Sequence, residues 1–101
     1  MSGHSWKNTE RAIANRLRGE RLPVSGRGQQ ADVQTAWLAV EVKHRKALPA
    51  WLKLALRQAV SAAGLNRLPI VVLHEHGQRH DEDIVCLTLK DFEDWFGEIL
   101  T

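Results

Sequence analysis

The feature that most limits how this chain can fold is the run Trp37-Leu-Ala-Val-Glu-Val-Lys43, which follows the extended-type segment Ala31-Asp-Val-Gln34 after only Thr35 and Ala36. Successive side chains of a strand point to opposite faces. Leu38, Val40 and Val42 therefore share one face, and Trp37, Ala39, Glu41 and Lys43 share the other. A two-residue connection leaves no room for a crossover, so the two strands must pair antiparallel. Such a hairpin sets Asp32 on the strand beside Glu41 and Lys43, and the rest of the fold has to be built around it. The strand around Glu41 is apolar enough to read as a central strand.

Helices and further strands follow on either side. Thr9 predicts the start of a helix running to about Gly19, because its hydroxyl can accept a backbone N–H that the first turn leaves unpaired; Asn8 is the alternative cap. Ile13 and Leu17 mark the inward stripe, with Ala14 beside it. Leu22-Pro-Val-Ser25 reads as a short extended piece and Gly26-Arg-Gly28 as a flexible basic loop. Pro49 opens a long helix that reaches about Ala63 and is ended by Gly64. Residues 69–76 and 83–89 read as two more strands joined by a polar loop. Residues 90–100 read as a last helix carrying Phe92, Trp95 and Phe96. Trp95 and Phe96 are adjacent and cannot face inward equally well, so one of them is a candidate for an interface between copies. The order α-β-β-β-α-β-β-α predicts an α/β fold with a central mixed five-stranded sheet flanked by helices, in which the helix-separated third and fourth strands run parallel.

A chain of 101 residues, 44% hydrophobic and 26% charged, has room for one domain, residues 1–101, around one core. It has no run of about 18 apolar residues that would span a membrane. Its first residues, MSGHSWKNTER, have no signal-peptide character, so an intracellular location is expected. The lone Cys86 excludes an internal disulfide and a cysteine-based zinc cage, and reads as buried filler in a strand.

Charge is unevenly distributed. Residues 1–67 hold twelve Lys and Arg against four Asp and Glu, a net +8, and residues 68–101 hold two against eight, a net −6. That polarity suits a basic face for a polyanion. Three of the four acids in the basic part, Glu10, Asp32 and Glu41, also fall where chemistry could use them.

Asp32, Glu41 and Lys43 together suit phosphodiester cleavage. Two carboxylates can hold Mg²⁺ through hard oxygen ligands, and a lysine can orient the attacking water or stabilise charge on the phosphorane. The competing reading is a surface Glu–Lys pair with Asp32 near a turn. Glu10 lies on the inward stripe of the first helix, either as a third ligand or orienting group, or as an acid placed to suit the helix dipole. Gln58 falls among Leu54, Ala55, Ala59 and Ala62, either at the edge of that stripe or hydrogen-bonded near a site. Arg27, His44, Arg45 and Lys46 flank the group as phosphate contacts would. Trp51 reads as core or interface packing before base stacking. His74-Glu75-His76 and His80-Asp-Glu-Asp83 have the composition of a metal cluster, but the helical H-E-x-x-H spacing is absent, and a solvated hairpin loop is the favoured reading.

Asp32…Glu41-Val-Lys43 resembles the signature of the PD-(D/E)XK nucleases, and the α-β-β-β-α-β order resembles that superfamily's restriction-endonuclease-like core. The small size, Glu10, Ser25-Gly-Arg-Gly28 and the helical Gln58 are most similar to the archaeal- and phage-type Holliday junction resolvases. The resemblance covers roughly residues 7–76 and departs from the pattern at Ala31, which stands where the signature has proline. It implies a homodimeric, Mg²⁺-dependent endonuclease (Mn²⁺ substituting) that resolves four-way DNA junctions. Glu10, Asp32, Glu41 and the carbonyl of Val42 would bind metal, Lys43 would be catalytic, Gln58 would support the site and Ser25 would match a mobile-loop serine. The alternatives are nicking or restriction of duplex or other structured DNA by the same chemistry, and a DNA-binding module on this fold without turnover.

Overall fold

The computed structural model describes residues 5–23 and 30–100. Eight regular elements follow in the expected order: α1 (Ser5–Leu17), β1 (Glu20–Arg21), β2 (Val33–Gln34), β3 (Ala39–Val40), α2 (Ala50–Ala63), β4 (Val71–Leu73), β5 (Ile84–Cys86) and α3 (Leu89–Phe96). They belong to two compact units, residues 1–46 with 99–101, and residues 47–98. Among the described residues no helix is long and apolar enough to cross a membrane.

In the first unit α1 begins at Ser5, four residues before the expected cap. Thr9 is inside the helix, and its hydroxyl meets His44 Nδ1 at 2.7 Å instead of capping. The buried stripe is as expected: Ala14 and Leu17 are buried and Ile13 half-buried. The helix ends in a Schellman turn. Gly19 N–H donates to Ala14 C=O (2.8 Å) and Arg18 N–H to Asn15 C=O (3.3 Å), with Arg18 in the left-handed region at φ 58°. Gly19 is required by a close approach, since a Cβ there would lie 2.8 Å from both Gln34 O and Thr35 Cγ2.

The turn feeds β1 into an antiparallel sheet of order β1-β2-β3, in which Arg21 pairs with Val33, and Val33 with Val40. The first strand is Glu20–Arg21 and not the expected Leu22-Pro-Val-Ser25. Proline at 23 lacks the N–H a ladder needs, and residues 24 and 25 lie outside the described residues. Val33 on the middle strand is fully buried. Thr35 Oγ1 accepts from the N–H groups of Trp37 and Leu38, and Thr35 N–H donates to Leu38 C=O, which closes the tight turn.

In the second unit α2 has the predicted ends, with Pro49 before the first turn and Gly64 (φ 66°) after the last. Its inward stripe is Leu52, Ala55, Leu56, Ala59 and Ala63. Gln58 is exposed, as are Leu54 and Ala62, which corrects the expected stripe. At about 100° per residue, 58 points away from the line through 52, 55, 59 and 63. β4 and β5 form an antiparallel hairpin, Val71 opposite Cys86 and Leu73 opposite Ile84, and Cys86 is half-buried. α3 is capped by Thr88, whose Oγ1 accepts from Asp91 N–H. Phe92 and Phe96 pack with centroids 5.1 Å apart, while Trp95 is exposed.

Among the described residues the fold is thus mixed α/β with three α-helices, and the strands form a three-stranded and a two-stranded antiparallel sheet where a five-stranded mixed sheet was expected. Among the described residues β3 pairs with β2 alone and β4 with β5 alone, so the third and fourth strands are not parallel partners there. Strands of two or three residues offer few ladder bonds, and local hairpin partners use them first.

Candidate functional site

The proposed residues of the first unit are held by α1, the segment entering β2 and the segment leaving β3. Glu10 lies one turn before Ala14 and two before Leu17, and that face carries it inward to only 4% exposure. A carboxylate so placed is costly unless compensated. Arg21, brought alongside α1 by the Schellman turn, donates from Nε to Glu10 Oε1 at 2.9 Å.

Asp32 is 5% exposed at the start of the middle strand. Its carbonyl accepts from Leu22 N–H (3.0 Å), and its Oδ2 accepts from Val42 N–H (2.7 Å). Every buried side-chain N or O among the described residues has a hydrogen-bond partner. The paired register ends at Val33–Val40, one residue short of Asp32 and Glu41.

Glu41 and Lys43 share a strand face as the alternation predicts, and the face is exposed. Their side chains are 57% and 65% accessible, with Lys43 Nζ 3.3 Å from Glu41 Oε2. The expectation that Glu41 sits on a central strand is corrected: the middle strand is β2, and β3 is an edge. Val42 is half-buried, and His44, Arg45 and Lys46 are exposed, with His44 tied back to α1 through Thr9. Gln58 is on α2 in the second unit. Ser25 and Arg27 lie outside the described residues.

The structure therefore brings Glu10, Asp32, Glu41, Val42, Lys43 and His44 into one unit, but Glu10, Asp32 and Glu41 do not gather their oxygens into a tight cluster. Among the described residues the group of three potential metal ligands with donor atoms all within 4.8 Å of one another is His74, His80 and Asp83, in the second unit. Sequence reasoning missed Arg21. Its signal is a cation two residues beyond the Gly19 turn, where the chain doubles back along the buried face of α1.

No protein-family model matches the chain, and neither a curated protein nor a solved structure gives a match. The donor set then has to be judged on its chemistry. Asp32, Glu41 and the Val42 carbonyl are hard oxygen donors of the kind Mg²⁺ takes. They fit that ion in type, whereas Glu10 would have to release Arg21 to join them.

Proposed function

We propose that the chain is a metal-dependent endonuclease of the PD-(D/E)XK kind acting on DNA, with branched DNA and four-way junctions as its substrates. The observation that carries this reading is the burial of two carboxylates, Glu10 and Asp32, inside a unit that holds nine Lys and Arg against four Asp and Glu. Acids withdrawn from solvent within a cationic body suit a metal site in a phosphate-binding surface.

In this reading Asp32, Glu41 and the Val42 carbonyl would hold Mg²⁺, which supplies an activated water and neutralises charge on the phosphate. Lys43 stabilises the phosphorane or orients the water, which requires it to swing from Glu41 toward the substrate. Glu10, paired with Arg21, would join the metal shell only on releasing it. His44, Arg45 and Lys46, with Arg27, contact phosphates, so recognition is by shape and charge and weakens steeply with salt. Ser25 keeps the supporting role that the resemblance implies, and Gln58, exposed on α2 in the second unit, is left out of the site. A homodimer would match the two-fold symmetry of a junction, and the exposed Trp51 and Trp95 are apolar surface available to such an interface.

The test is cleavage of a synthetic immobile four-way junction beside a flap and a plain duplex, with and without Mg²⁺. Asp32→Asn and Glu41→Ala are expected to bind the junction as wild type does and to cut it at least about a hundredfold more slowly. Cutting at the wild-type rate by both variants overturns the site; equal cutting of duplex moves the substrate to duplex DNA.

A second reading, a DNA-binding module without turnover, is favoured by the two ion pairs that already engage Glu10 and Glu41. It predicts no Mg²⁺ or Mn²⁺ binding that depends on Asp32.

A further inference from the structure

We propose that His74, His80 and Asp83 form a binding site for one zinc-class divalent ion, separate from the carboxylate site and from its chemistry. The hairpin places two of the three ligands. Leu73 pairs with Ile84, so His74 and Asp83 are the next step of the same register, and their side chains meet with Nδ1 2.6 Å from Oδ1. The third ligand is returned by the loop. Gly77, at φ 86°, takes a left-handed turn that is costly for other residues, and Gln78 N–H closes it onto Glu75 C=O at 3.0 Å. A 3-10 turn over His80–Glu82 follows, in which Asp83 N–H donates to His80 C=O. His80 Nδ1 then lies 3.1 Å from the other oxygen of Asp83, and the two imidazole rings stand 4.6 Å apart.

Three features make this more than a polar loop. Asp83 is an anchored ligand, its side chain only 14% exposed and both oxygens aimed at imidazole nitrogens. The donor atoms already lie within 4.8 Å of one another. Ligands on one tetrahedral ion stand about 3.4 Å apart, given bonds of about 2.0–2.1 Å, so closure needs only small side-chain rotations. Two imidazoles and one carboxylate also select zinc, cobalt or nickel over magnesium, because imidazole is a poor ligand for hard ions. Glu75 and Glu82 line the same hollow as His74 and add to the negative potential there.

Without metal, Asp83 accepts a hydrogen bond from each imidazole. On binding, the ion replaces both hydrogen bonds, and each ring carries its proton on Nε2. Three protein ligands leave a fourth position for water or an external donor.

Zinc calorimetry on the metal-free full chain, with Co²⁺ absorption as a second probe, tests the proposal. One ion per chain is expected, with the visible band of tetrahedral Co²⁺. His80→Ala, at a side chain 85% exposed and so dispensable for folding, is expected to weaken zinc binding by at least about tenfold. His76→Ala, in the same loop but outside the cluster, should bind as wild type. Zinc should also slow amide exchange across residues 74–83 in the wild type and not in His80→Ala. Equal zinc affinity of His80→Ala and His76→Ala, or the absence of a one-to-one wild-type complex, overturns the proposal.

Discussion

The first unit carries nine Lys and Arg against four Asp and Glu and buries two of those four carboxylates, while the second carries five against eight and buries none. The second leaves Trp51, Leu54, Val72, Ile84 and Trp95 at least half exposed. The first unit holds, beside the buried Ala14, Leu17 and Val33, a charge pair within its interior, where loss of one partner is costly. The second depends on local devices: the Pro49 and Gly64 ends of α2, the Thr88 cap and the β4–β5 ladder. A helix cap of this kind contributes about 1 kcal/mol. Substitutions should therefore cost more in the first unit than in the second.

Arg21→Ala is the largest test of that difference. Removing the guanidinium from a buried carboxylate should destabilise the first unit by about 3–5 kcal/mol. Amide exchange should rise at Val33 and Val42 and stay unchanged in the β4–β5 hairpin. Equal loss of protection in both would mean that they unfold as one. Added Mg²⁺ restoring protection in this variant would tie Glu10 directly to a metal.

Gly19→Ala comes next. Its new Cβ would press on the Gln34 carbonyl and the Thr35 methyl, so about 1–3 kcal/mol is expected from denaturant titration, again in the first unit. A cost near zero would show that the approach of Gly19 to Gln34 and Thr35 can open without loss.

Thr88→Ala is the smallest. It removes the acceptor for Asp91 N–H and should cost about 1 kcal/mol, with faster exchange confined to the first turn of α3. A larger, spreading effect would show that the second unit is less locally held than its contacts indicate.

Much of this was legible in the sequence, and unevenly so. The element order, both ends of α2 and the face alternation through residues 37–43 follow from local signals. Burial of Glu10 follows from helical spacing. Strand partnership does not, because periodicity reports which face a residue takes and not which strand lies beside it. The apolar run around Glu41 therefore read as central, while the middle place belongs to β2. The start of α1 was missed because Thr9 has the chemistry of a cap but spends its hydroxyl on His44, thirty-five residues away. The meeting of His80 with His74 and Asp83 is not legible either, because it depends on a loop path that no spacing rule encodes.

The bond from Val42 N–H to the Asp32 carboxylate has a consequence for how the molecule behaves in a crowded solution. A side chain there takes a donor that would otherwise lengthen the ladder, and β3, the outer strand, regularises over only Ala39 and Val40. Beyond it the backbone carries Glu41, Lys43 and the basic run, all exposed. A short rim bordered by charge is a poor template for a strand from another molecule. Asp32 thus helps to keep that rim short, by holding Val42 N–H away from the β2–β3 ladder.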